Sequence, residues 1–203
     1  MPGPATQKAM RFVVAALTAL VLSSSCAKAE GQNHGTHPGT APTATTPTTP
    51  TPSTPPAVVP PGPLGVVQTE FEAIRADLAK DSAAGLAQSL ERLKPAVEAL
   101  TAAKHPQAQA LATGIAALTA SLPKDGAAIE VKAVRVAYGE LARAVVAVIA
   151  ADPALQAGRF LYECPMARGY KRWVELKPRM ENPYMGSRML ECGSAIVAWG
   201  VEG

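Results

Sequence analysis

The chain has 203 residues, 48% of them hydrophobic and 17% charged, and 19 Lys and Arg against 16 Asp and Glu leave a net charge of +3. A charge so mild and so evenly spread excludes the clustered basic face of a nucleic-acid-binding protein. Beyond the N-terminus no run reaches the 18 or so apolar residues of a membrane span, and the length allows one ordinary domain plus extras.

Residues 1–29 read as an export signal. Lys8 and Arg11 form a positive n-region, and the apolar run Phe12 to Leu22 has the length of a signal h-region and is too short to span. Two processing routes follow. LSSSC ending at Cys26 resembles a bacterial lipobox, whose cysteine is lipidated and becomes the mature N-terminus, although Ser23 stands where such boxes usually carry leucine. Ala27-Lys28-Ala29 is an A-x-A site for ordinary signal peptidase. The lipoprotein route is preferred because a membrane tether explains the next segment. Either route places the mature protein in the cell envelope or periplasm and removes or acylates Cys26. Cys164 and Cys192 remain, in an oxidising compartment where a disulfide is the default.

Residues 30–63 form a linker. From Gly31 to Pro63 there is no Asp, Glu, Lys or Arg and no Phe, Trp or Tyr, and ten prolines lie between Pro38 and Pro63. Such a segment buries too little apolar surface to fold. Its proline density favours an extended spacer of about 3.1 Å per residue, or roughly 100 Å in all. His34 and His37 within it read as solvated.

The segment 64–152 has helical periodicity. Val67, Phe71, Ile74 and Leu78 form one amphipathic stripe. Asp81 and Ser82 are suited to N-cap a second helix that carries Leu86, Leu90, Leu93, Val97 and Leu100; Pro95 lies inside it and predicts a kink or a split. A third helix is expected after His105, with Pro106 in its first turn and Leu111, Ile115, Leu118 and Leu122 as its stripe. After a turn at Pro123 and Gly126 a fourth runs from about Ala128 to Ala151 on Val134, Tyr138, Leu141, Val145 and Val148. Short connections predict a mainly α protein, an antiparallel four-helix bundle. Its scattered Asp, Glu, Lys and Arg read as a solvated face.

The segment 153–203 differs in kind. Phe160, Tyr162, Tyr170, Trp173, Tyr184 and Trp199 concentrate here, RFLYE and YKRWV read as short strands, and NPYMG as a turn. This small irregular and β appendage cannot form its own core, so it should pack on the helices or be cross-linked. It also holds every methionine beyond Met10. Cu(I) and Ag(I) favour thiolate and thioether sulfur, and Cys164, Met166, Met189 and Cys192 make a sensible four-sulfur set, with Met180 and Met185 as auxiliary donors. The same residues admit a plainer reading. Methionine fills gaps beside aromatic rings, and a Cys164–Cys192 disulfide closing 27 intervening residues would stabilise the fold by roughly 3–4 kcal/mol.

YECPMARG followed by ENPYMGSRMLECG resembles the C-terminal signature of a bacterial periplasmic family of unknown function. Its members occur alone or fused to CusB-like adaptor subunits of copper and silver efflux systems. Cys164, Pro165 and Met166, then Asn182, Pro183, Tyr184, Gly186, Met189, Cys192 and Gly193, meet the pattern, and the resemblance extends over roughly Val66 to Gly193. Met185 stands where the family more often has an aromatic, and the chain has no room for an adaptor's barrel or lipoyl domain. The resemblance implies a non-enzymatic accessory domain that binds copper or silver. A metal ion, an efflux adaptor or pump component and the membrane, through the lipid anchor, are its expected partners. Asn182, Pro183, Tyr184 and Gly186 are then the residues that shape the turn joining the two halves. His105 is the one histidine of the folded segment, and no nucleophile–base arrangement accompanies it.

Overall fold

The computed structural model describes residues 56–124 and 127–200, all of them within the compact unit Pro50–Gly203. The signal segment, Cys26, both linker histidines and Gly126 lie outside the described residues. No described helix is long and apolar enough to cross a membrane.

Four long helices come first: α1 Pro63–Ala79, α2 Leu86–Ala102, α3 Ala108–Ala120 and α4 Val131–Ala151, followed by the short α5 Pro153–Gln156. α1 packs on α2 and α4, and α3 packs between α2 and α4. The leucine, valine and isoleucine stripes supply the core, with Leu78, Leu93, Leu111, Leu118, Val134 and Leu141 wholly inaccessible. Gly114 sets the α3–α4 distance: a Cβ there would meet the Leu141 Cα at 2.6 Å, so the helices meet at backbone contact.

Local details depart from expectation. Pro95 sits inside an unsplit α2; it removes one backbone donor from the helix without ending it. α2 begins at Leu86 with Gly85 as its N-cap, so neither Asp81 nor Ser82 caps it. The Gly85 N–H instead reaches back to Asp77 Oδ2 at 3.1 Å, and Asp81 takes a left-handed backbone, φ 58°, a conformation Asp tolerates better than most residues. α3 starts at Ala108, two residues beyond Pro106, and Leu122 lies past its end, half-buried.

Nor are the charged residues all solvated. Glu70 and Arg75 on α1 are buried because each has a partner. Glu70 accepts from Arg92 of α2 at 2.5 and 2.8 Å, and Arg75 forks onto Glu72 at 2.8 Å twice. The last linker residues also join the fold: Pro63 is the first residue of α1, and the Val58 carbonyl accepts from the buried Arg159 at 2.8 Å.

The C-terminal segment forms a three-stranded antiparallel sheet ordered β2-β1-β3: β1 Phe160–Glu163, β2 Arg172–Glu175 and β3 Ser194–Ile196. β1 and β2 arise where RFLYE and YKRWV predict strands, Leu161 facing Val174 and Tyr162 facing Trp173 across the ladder. β3 has no counterpart among the expected elements. The sheet joins the helices through β2 against α4 and through a relay of rings. Phe71 stacks on Tyr138 at 5.2 Å, Tyr138 meets Tyr184 edge-on at 5.6 Å, Tyr184 meets Trp173 at 5.9 Å, and Trp173 meets Tyr162 at 5.6 Å. Each such pair adds about 0.5–1.5 kcal/mol beyond its burial, so the aromatics concentrated here act as the joint between sheet and helices.

The ion pairs set an acid limit. Hydrogen bonding to Arg92 holds Glu70 below the ordinary carboxylate range, and Arg135 with Ser187 does the same for Asp81. Depressed folded-state values mean that this stability is present above the unfolded pKa of about 4 and is lost as pH falls through the folded values. Thermal unfolding is therefore expected to shift downward as pH falls below about 4. An Arg92→Met variant, less stable at neutral pH, should show a shallower acid limb; an identical limb would remove Glu70–Arg92 from the account.

Candidate metal centre

Cys164 follows β1 directly. Its N–H continues the hairpin by donating to the Lys171 carbonyl at 3.0 Å, and its carbonyl accepts from Ala167 at 3.1 Å, closing a tight turn with Pro165 at the position proline favours. The turn separates the residues of the Cys-Pro-Met sequence. Cys164 is wholly buried, whereas Met166 at the corner is 58% exposed.

The second half is built around Asn182, which has no accessible surface. Its Oδ1 accepts from the Tyr184 and Met185 N–H groups at 2.8 and 3.1 Å, and its Nδ2 donates to the Cys192 carbonyl at 2.5 Å. Its backbone bonds Leu190 and Gly186 as well. One side chain thus closes the Asn-Pro-Tyr turn and ties Cys192 to it. Between them lies a 3-10 helix, Gly186–Met189, after which the Cys192 N–H donates to the Met189 carbonyl at 3.0 Å. Met189, 39% exposed, and Cys192 therefore share one turn of chain.

The halves meet at sulfur. Cys164 Sγ and Cys192 Sγ lie 3.3 Å apart as free thiols, against about 2.05 Å in a disulfide. The contact with Cys164, reinforced by burial, pushes the Cys192 thiol above its ordinary value. Met180 and Met185 pack half-buried against the core. Met185 and Met166 line one cavity of about 300 Å³, while Met189 is not among its walls. The six sulfurs thus include a close thiol pair and, separately, a thioether pair at a cavity.

Several residues hold this arrangement that sequence reading assigned elsewhere. Arg135 of α4 donates to the Pro183 carbonyl at 2.9 Å, to the Leu78 carbonyl at 2.8 Å and to Asp81 at 2.5 Å. Asp81 in turn accepts from the Ser187 N–H at 3.1 Å and from its hydroxyl. Gly186 lies beneath this clamp with φ +66°, and a Cβ would run into Arg135 and Asp81, so both backbone and space call for glycine. On the other side Arg75 donates to the Glu181 carbonyl at 2.8 Å, and Glu175 accepts the Glu181 N–H at 2.6 Å and Trp173 Nε1 at 3.0 Å. The Tyr184 hydroxyl donates to the Arg172 carbonyl at 2.7 Å. No motif signals Asp81, Arg135 or Arg75; each is one charge among many on an amphipathic helix or loop.

Among the described residues no group of three or more His, Cys, Asp and Glu side chains is placed to hold an ion. The two thiols with methionine sulfur in support would be a donor set suited to Cu(I) or Ag(I), since zinc sites use four nitrogen, oxygen or thiolate ligands and little thioether. No protein-family model, curated protein or solved structure matches the chain.

Proposed function

We propose that this is an exported, lipid-anchored envelope protein that binds Cu(I) or Ag(I) as cargo, as an accessory to heavy-metal efflux or envelope metal homeostasis. Its scaffold is read as an antiparallel four-helix bundle carrying the sulfur-bearing appendage. One observation carries the proposal: Cys164 and Cys192, 28 positions apart in sequence, are brought to 3.3 Å by a turn that a buried asparagine organises. Met189, within a turn of Cys192, is the nearest thioether along the chain. Met166, two residues from Cys164, completes the four-sulfur ligand set, with Met180 and Met185 as auxiliary donors; Met166 and Met185 share a cavity. The resemblance to the family fused to CusB-like adaptors supports the same cargo and an efflux adaptor or pump as the partner. No catalytic step is assigned.

Reduced, metal-free protein titrated with Cu(I) against a competing chelator should take up one ion per chain. A Cys164→Ser, Cys192→Ser double variant should lose at least about 100-fold in affinity, since removing only a hydrogen-bond partner of a metal ligand already costs 10–100-fold. Unchanged affinity in that variant would sink the proposal. The nearness of the two thiols, in an oxidising compartment, supports a second reading, a structural or protein-interaction lipoprotein whose cysteines close a permanent disulfide. Thiol labelling of protein taken directly from the envelope separates them: absence of labelling until reductant is added, with no metal bound, selects the staple.

A further inference from the structure

The cavity of about 300 Å³ shared by Met166 and Met185 has walls of unusual chemistry. Lys132 and Arg135 of α4, Arg168 from the hairpin connection, Tyr184 and the thioethers of Met166 and Met185 line it, and no acidic side chain does. Arg135 is committed to Asp81. Lys132 and Arg168 are exposed, and neither makes an ion pair with another described residue, as nearby Arg135 and Arg172 do. Two cations without an ion-pair partner among the described residues and two methionines thus share one pocket. Ala167, one of its walls, donates its N–H to the Cys164 carbonyl at 3.1 Å, and Met166, another wall, is two residues from Cys164.

We infer that this cavity receives the metal as an anionic complex with a small thiol that also carries carboxylates. The cations attract the carboxylates, the thioethers accommodate the thiolate-bound soft ion, and the buried pair takes the ion over. The inference rests on the metal-cargo reading and specifies the form in which the cargo arrives. The exchange balances without an oxidant or reductant. Each bond from the ion to a carrier thiolate breaks as a bond to Cys164 or Cys192 Sγ forms, and each cysteine's proton passes to a departing thiolate, leaving Cu(I) as Cu(I).

Glutathione, an anionic tripeptide thiol, serves as the probe. Its S-methyl derivative cannot exchange with the cysteines and should bind metal-free protein saturably, shifting the Met166 and Met185 methyl resonances. A Lys132→Ala, Arg168→Ala double variant, altered only at exposed side chains, should weaken that binding at least tenfold. It should also slow Cu(I) transfer from the glutathione complex about tenfold at low salt, while uptake from the cationic acetonitrile complex and the final stoichiometry stay as in wild type. Absence of saturable S-methylglutathione binding, or a double variant indistinguishable from wild type in both measurements, overturns the inference and leaves the metal proposal standing. Saturable peptide binding with no Cu(I) uptake from either source overturns cargo delivery and the metal proposal together, leaving only an anion pocket.

Discussion

An Asn182→Ala variant is expected to lose about 3–5 kcal/mol of stability and most of the ordered pairing of Cys192 with Cys164. The side chain is wholly buried and makes three hydrogen bonds, to the Tyr184 N–H, the Met185 N–H and the Cys192 carbonyl. Truncation leaves two donors and one acceptor without partners, at roughly 1–3 kcal/mol for each group that water cannot reach. Calorimetry reads the stability loss. Faster alkylation of Cys192 in the variant reads the loosened turn, since Cys192 is already partly exposed and is held by its carbonyl. Asn182→Asp keeps the acceptor and loses the donor, so it should retain the Asn-Pro-Tyr turn while freeing Cys192. A variant that denatures with wild-type stability would mean that Asn182 is not the organiser of this loop.

The contrast between what could and could not be read in the sequence follows from the range of the interactions. Every α4 stripe residue, Val134, Tyr138, Leu141, Val145 and Val148, is buried as its spacing predicts, because burial of a helix face is written at a period of three and four. The two strand segments are legible from a different local signal, short runs of aromatic and branched residues bounded by turn residues. Asp81 was misread because capping is judged from neighbours, while its partners, Arg135 and Ser187, are 54 and 106 positions away. The sulfur set shows the same limit. Spacing puts Cys164 and Met166 two residues apart, and the turn closed by Ala167 buries one and exposes the other, while Met166 and Met185, 19 positions apart in sequence, line the same cavity. Gly186 reads as a turn residue in sequence; that its missing side chain makes room for an Arg–Asp clamp is visible only in three dimensions.

Arg75→Met is expected to be still more costly at neutral pH, and its cost should depend on pH in a direction opposite to the acid limb of the wild-type protein. Arg75 is 3% exposed and faces three carboxylates: Glu72 at 2.8 Å, Glu181 at 3.4 Å and Glu175 at 3.6 Å. Burial opposes its charge, but Glu72 and then Glu175 hold its pKa above the ordinary arginine value. Glu175 shows the other side of the balance. Although Arg75 lowers its pKa, burial outweighs that attraction and the value ends above the ordinary carboxylate range, because the guanidinium is committed first to Glu72. Glu72 and Glu181 are about 30% accessible and can turn to water, whereas Glu175 is 3% accessible and cannot. Removing the arginine therefore strands one buried carboxylate, at about 3–5 kcal/mol, and also frees the Glu181 carbonyl next to the Asn182 turn. Glu175 in the variant has a folded pKa raised further above its unfolded value, so the variant is relatively most stable below that unfolded value and loses stability as pH rises through the folded one. The stability gap between wild type and Arg75→Met should narrow on going from pH 7 to pH 5. Adding Glu175→Gln should restore part of the loss at pH 7 and make the gap nearly independent of pH over that interval. A gap unchanged by pH in the single variant would show that the stranded carboxylate is not what the arginine neutralises.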